Sequence, residues 1–255
     1  MTPHGKRAVV TGASSGLGLE FARLLAADGY HVALVARSVD ALETLAGELR
    51  EKFGITADVI GQDLGAHDAA ARIVAAVPEC DVLINNAGFA SNGAFATVDA
   101  QRVDEEVAVD VVSLTQLTRA YLPGMLARGS GRILNVASTA SFLPGPFMAV
   151  YYAAKAYVRS FSEALWEETR GSGVSVTCLC PGATATGFVK RARMEKSMLM
   201  NLPLAAAASV ASAGYRGMMH GKRMVIPGIM NRIVAWSPTL APRRLVLWIS
   251  RKLVE

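Results

Sequence analysis

Apolar positions in this chain come in short continuous blocks, separated by longer segments in which they recur at helical spacing. The blocks cover 7–11 (Arg-Ala-Val-Val-Thr), 31–36, 57–60, 81–84, 132–136, 174–179 and a short one at 224–226. Between them, the spacing predicts helices over about 16–28, 39–53, 68–76, 103–128 and 150–166. A strand that is apolar without alternation is covered on both faces, which is the condition of a parallel sheet between two layers of helices. The expected fold is therefore α/β: a single doubly wound domain over residues 1–228, with a central parallel sheet of about seven strands and helices on both faces. No repeat, low-complexity tract or linker interrupts it, and residues 229–255 follow as a basic, apolar C-terminal extension.

Composition adds limits to this picture. With 255 residues, 52% hydrophobic and 18% charged, the chain can bury a substantial core. Cys80, Cys178 and Cys180 are odd in number, with no CxxC and no nearby His, so neither a disulfide framework nor a metal site is expected. Buried thiols in a reducing, cytoplasmic setting fit better. The N-terminus reaches the first strand without a signal-peptide core, and no apolar run is long enough to span a bilayer.

The net charge of +5 is unevenly spread: residues 188–255 hold 12 Lys and Arg against 2 Asp and Glu, and residues 1–187 hold 14 against 19. An anionic membrane surface, an acidic substrate and an oligomer interface are each compatible with so basic an end. Nucleic acid is the weakest option, because no base-reading module is present.

The sharpest chemical signal lies in the first turn. Thr11-Gly12-Ala13-Ser14-Ser15-Gly16-Leu17-Gly18 joins the first strand to its helix. Small residues there let the backbone approach a pyrophosphate, and the helix start supplies N–H groups and positive potential. A glycine-rich turn often only makes a tight loop, but this one stands where a dinucleotide site must stand. About twenty residues on, where an acid would hold a ribose 2′-hydroxyl, the second strand ends at Arg37. A guanidinium suits a 2′-phosphate by charge and fork geometry, so NADP(H) is expected ahead of NAD.

A second constellation centres on Tyr151, Lys155 and Ser138. Tyr151 and Lys155 stand one helical turn apart on one face, with Cβ atoms about 5–6 Å apart. Such pairs are common on ordinary helices, but here an ammonium beside a phenol favours the phenolate and suits Tyr151 to general acid and base chemistry. Moving a phenol from about 10 to about 7 needs roughly 4 kcal/mol, at about 1.4 kcal/mol per unit. A screened surface pair supplies less, so a second cation or burial must contribute. Ser138 follows the strand 132–136, and its hydroxyl could hold a carbonyl oxygen beside the phenol.

With these residues placed, the sequence resembles the short-chain dehydrogenase/reductase family, with its Rossmann-type fold, over residues 5–230. Thr11 to Gly18 matches the family's TGxxxGxG turn. Asp63-Leu64 matches the pair that contacts adenine, and Asn85-Asn86-Ala87-Gly88 the stretch beside the cofactor. Ser138, Tyr151 and Lys155 match the catalytic set, and Pro181-Gly182 followed by Thr184 and Thr186 the segment at the nicotinamide. The resemblance implies that Tyr151 exchanges a proton with the substrate oxygen as hydride passes, that Ser138 holds that oxygen, and that Lys155 binds the nicotinamide ribose and lowers the phenol's pKa. The positive ring of the oxidised cofactor would be the second cation. One departure is plain: where the family usually carries Asn in the long central helix, this chain has Asp110. An ionised Asp110 near Lys155 would hold the ammonium more tightly and weaken its effect on Tyr151, leaving a retained but altered proton relay.

The implied function is an NADP(H)-dependent oxidoreductase on a carbonyl and alcohol pair, with a small-molecule substrate and a homo-oligomeric assembly. The rival is a dinucleotide-binding sensor or scaffold without turnover. Residues 187–202 are expected to form the variable lid, apolar through Phe188, Met194, Met198, Leu199 and Met200 and basic through Lys190, Arg191, Arg193 and Lys196. With Phe142, Leu143 and Phe147 they suggest a pocket for an acyl chain or steroid-like ring. The extension, with Trp236, Trp248 and Arg243-Arg244 ahead of Arg251-Lys252, is compatible with packing on its own domain, on a second subunit or as a peripheral contact on a membrane.

Overall fold

The computed structural model describes residues 5–187, 204–239 and 241–254. Of the expected lid, 187–202, only Gly187 is described; 188–202 lie outside the described residues. Strands β1 (Arg7–Thr11), β2 (His31–Ala36), β3 (Ala57–Gly61), β4 (Val82–Asn85), β5 (Gly131–Val136) and β6 (Val174–Leu179) are parallel. Two short strands, β7 (Thr184–Ala185) and β8 (Ala205–Ala206), pair outside the main sheet, and β9 (Met224–Val225) completes it. The main sheet has seven strands in the order β3-β2-β1-β4-β5-β6-β9.

Alternation along the strands assigns the two faces. Val10, Leu34 and Ile84 point to one side, where helices α1 (Gly16–Ala27) and α2 (Val39–Phe53) bring Phe21, Leu25, Leu42 and Leu49. Val9, Val35 and Leu83 point to the other, against Ile73 of α3 (Ala69–Ala76) and Leu117 and Tyr121 of the long central helix. That helix runs as α4 (Ala100–Val107), a wider π-helical turn (Ala108–Ser113) and α5 (Leu114–Ala127). Covering both faces is what makes the strand sequences continuously apolar.

Connections from β1 run one way to β2 and β3, and those from β4 run the other way, so a crevice opens above the carboxyl ends of β1 and β4. Below it, buried amides fix β4 to β5. Asn85 donates to Asn135 Oδ1 at 2.9 Å and to Thr118 Oγ1 at 3.0 Å, and Asn135 donates to Ser162 Oγ at 3.0 Å on α6 (Ala149–Glu168).

Helix α7 (Ala207–Met219) is an element the apolar spacing does not announce, because Ala, Ser and Gly dominate it. Those small residues are its packing device: a Cβ at Gly214 would stand 2.8 Å from Leu179 Cδ2, and one at Gly217 would stand 2.2 Å from Val225 Cγ2. The extension forms α8 (Ile229–Trp236) and α9 (Arg243–Val254). Both lean on the domain. Ala235 is buried, the Trp236 ring meets Phe142 edge-on at 5.4 Å, and Arg251 lies 5.3 Å from the Phe147 ring centre. No helix among the described residues is long and apolar enough to cross a membrane.

Candidate active site

The first turn is stapled across the crevice. Thr11 Oγ1 accepts from the N–H groups of Asn86 at 2.9 Å and Ala87 at 3.1 Å, and the Asn86 amide donates to Thr11 O at 2.9 Å. Gly12 and Gly16 adopt φ of +66° and +58°, a region that strains any residue with a Cβ. At Gly18 a Cβ would stand 2.2 Å from Gly12 O, so helix and turn close only on glycine. The first turn of α1 carries no acid, which leaves its positive end unopposed.

One cavity of about 440 Å³ runs along this crevice. Gly12, Ser14, Ser15, Gly16 and Leu17 wall it at α1, Arg37 at the end of β2, and Asp63 and Leu64 after β3. Asn86, Ala87 and Gly88 line its middle, with Pro181, Gly182, Thr184 and Thr186 opposite. Gly18 lies beneath the wall rather than in it. The donor set fits a nicotinamide dinucleotide: main-chain N–H groups at a helix start for the diphosphate, and an amine at the far end.

At that far end stand Ser138, Tyr151 and Lys155. Ser138 follows β5 with extended backbone and opens a 3-10 turn (Thr139–Phe142); its Oγ accepts from Ala140 N at 3.1 Å, and its hydroxyl favours the ionised form of the Tyr151 phenol. Lys155 is buried, with Nζ 2.9 Å from Asp110 Oδ1, 3.2 Å from Val136 O and 5.6 Å from the Tyr151 ring centre. Asp110 is buried behind Lys155 and does not reach the cavity.

A model of the short chain dehydrogenase family matches residues 6–197. The chain belongs to that family. The very-long-chain 3-oxoacyl-CoA reductase of Anas platyrhynchos is 37% identical over 193 residues, which are 73% of this chain and 62% of that protein. Its human counterpart is 34% identical over 192 residues, with the same coverage of 73% and 62%. The chain thus spans less than two thirds of the length of these relatives. Among solved structures, the short-chain dehydrogenase from Sphingobium yanoikuyae in complex with NADPH has a TM-score of 0.83 at 30% identity, covering 92% of this chain and 93% of that one. The bulky-bulky ketone specific alcohol dehydrogenase from Comamonas testosteroni gives 0.78 at 30% identity, again covering 92% and 93%.

Electrostatics in this short-chain dehydrogenase differ from the expectation in one respect. Burial pushes the Tyr151 phenol above its usual value, and Lys155 and Ser138 offset it only in part, while Asp110 and Glu106 add to the rise. Burial therefore opposes the phenolate, because it disfavours the charged form of an acid. For Lys155, burial disfavours the ammonium, but Asp110, Tyr151 and Glu106 together outweigh it and hold the amine above its usual value. Burial likewise lifts the Asp110 carboxyl, against the pull of Lys155.

Glu106 is the residue that sequence reasoning missed. It is fully buried one turn before Asp110; Oε2 accepts from Ser91 N at 2.8 Å, and Oε1 has no hydrogen-bond partner among the described residues. Burial pushes it up to about 7. Its neighbours Asp104 and Glu105 make the stretch read as a solvated face, and only the i−4 relation to Asp110 marks it.

Of the residues expected to line a substrate pocket, the five in the lid lie outside the described residues, and of the other three only Leu143 lines the cavity. Phe142 turns toward Trp236 and the Arg159 guanidinium, 4.4 Å away, and Phe147, at φ +66°, lies under Arg251. Met148, Tyr152, Leu204 and Val234 supply the apolar wall instead.

Proposed function

We propose that this chain is an NADP(H)-dependent oxidoreductase that interconverts a carbonyl and a secondary alcohol on a lipophilic substrate of the 3-oxoacyl kind. The observation that carries the reading is a single continuous cavity with Arg37 at one end and the Ser138, Tyr151 and Lys155 cluster at the other. Gly12 to Leu17 would hold the diphosphate, Arg37 the 2′-phosphate, Asp63 and Leu64 the adenine, and Asn86 to Gly88 with Pro181 to Thr186 the nicotinamide half. When bound, the nicotinamide supplies or accepts the hydride.

The remaining steps belong to the chain. Tyr151 gives its phenolic proton to the substrate oxygen during reduction and takes one back during oxidation. The raised phenol is protonated at neutral pH, the state that donation to a carbonyl oxygen requires. Ser138 fixes the oxygen within reach of that proton. Lys155, kept charged by Asp110, stabilises the phenolate left behind. Leu143, Met148, Leu204 and Val234 exclude water around the carbonyl and match an apolar chain. The names of the relatives support this substrate class, and the NADPH bound by the Sphingobium enzyme supports the cofactor.

Substituting Arg37 tests the cofactor assignment. Losing a charge-assisted contact worth about 1.5–3 kcal/mol, Arg37→Ala should weaken NADPH binding by about 10- to 150-fold and leave NADH binding nearly unchanged, as read by fluorescence titration. Equal effects on both cofactors would remove the 2′-phosphate role.

A further inference from the structure

Helix α8 has two different faces. Ala235 is buried and Asn231 packs against the Gly182 loop, with its Nδ2 donating to Pro227 O at 2.7 Å, while Val234 lines the cavity. Ile229, Met230 and Ile233 point outward, 77%, 69% and 58% exposed. Helix α9 repeats the arrangement: Val246 and Ser250 face the domain, and Leu245, Leu247, Trp248 and Ile249 are exposed. It meets the loop at Phe147 through Arg251, next to Met148 of the cavity wall. Helix α8, which borders the cavity through Val234, and helix α9 therefore both present apolar side chains to the outside.

The charge between these side chains selects their partner. Residues 229–255 contain Arg232, Arg243, Arg244, Arg251 and Lys252 against a single acid, Glu255, and all five cations lie at the surface. A two-fold contact with a second copy would set this cationic face against itself, and like charges across an interface oppose association. Outward Trp, Leu and Ile among arginines are instead the composition of a helix that lies in a lipid headgroup layer. An anionic surface adds electrostatic attraction for each cation near it.

We infer that α8 and α9 form a docking surface for an anionic lipid bilayer, which places the cavity mouth at the membrane. A lipophilic substrate would then enter past Val234 from the lipid. That route rests on the proposed substrate class, whereas the docking itself does not.

Vesicle sedimentation of the full chain tests the docking without cofactor or substrate, so its outcome is separate from that of the assigned reaction. The chain should pellet with mixed phosphatidylglycerol and phosphatidylcholine vesicles, and far less with phosphatidylcholine alone or at high salt. Arg243→Glu should weaken partitioning more than fivefold, since one cation near the surface accounts for about fivefold. Ile233→Glu combined with Trp248→Glu should abolish pelleting, with the circular dichroism spectrum retained. A parent chain that stays in the supernatant with anionic vesicles at low salt overturns the inference. So does pelleting that none of these variants changes, or a dimer in light scattering that the Ile233→Glu and Trp248→Glu variant splits while neither protein binds vesicles.

Discussion

Lys155 is a buried cation whose position depends on two acceptors, Asp110 Oδ1 and the Val136 carbonyl. Asp110→Asn keeps an acceptor at this place but withdraws the charge that lifts both Lys155 and Tyr151. With Tyr151 as the proposed proton donor, its active form in the reductive direction is the protonated one, which is lost as pH rises through its pKa. The variant's alkaline limb in a kcat profile should therefore move to lower pH; an unmoved limb would mean that Asp110 does not act on Tyr151. Asp110→Ala, which leaves the ammonium without its counter-charge, should cost about 3–5 kcal/mol in denaturant unfolding. Tyr151, Lys155 and Ser138 were legible at this scale because their spacing is local: one helical turn and one strand end. The direction in which burial moves the phenol was not legible, because it depends on how deeply the helix is set.

The long central helix was legible from its period, but not the wider turn within it. Nothing in Ala108-Val109-Asp110-Val111-Val112-Ser113 distinguishes six π-helical residues from α-helix, yet this turn carries Asp110 and Ser113 into the interior, where Ser113 Oγ donates to Leu64 O at 2.7 Å. The same helix carries Glu106 inward, and the pH dependence of stability follows from it. A glutamate ordinarily near 4.5 that is pushed up to about 7 on folding holds a proton that the unfolded chain releases. Its contribution is most favourable below about 4.5 and is lost as pH rises through about 7, a change of about 3 kcal/mol. Glu106→Gln should flatten the dependence of Tm on pH between about 5 and 8, as followed by calorimetry; a profile parallel to the parent's would show that Glu106 is ionised throughout that range. Helix α7 escaped notice for the opposite reason: its glycines and alanines pack by close approach to Leu179 and Val225 and leave almost no apolar period.

Across the whole molecule, alternation of apolar runs and helical segments was enough to predict the seven-stranded parallel sheet, because a strand covered on both faces has no freedom to be polar on one. The crevice position followed, since the glycine turn ends β1 beside the point where strand order reverses. The seat of the C-terminal extension did not follow, as Trp236 against Phe142 and Arg251 over Phe147 are contacts between residues about a hundred positions apart. Those contacts explain why the two phenylalanines turn away from the cavity. The most direct measurement is NADPH oxidation by the parent chain and by Tyr151→Phe across 3-oxoacyl thioesters of rising chain length. With Tyr151 as proton donor, kcat should fall by about 10²- to 10⁴-fold in the variant while NADPH still binds, and kcat/KM of the parent should rise with chain length. Equal turnover by the two proteins, or NADPH binding with no turnover of any substrate by the parent, would contradict it.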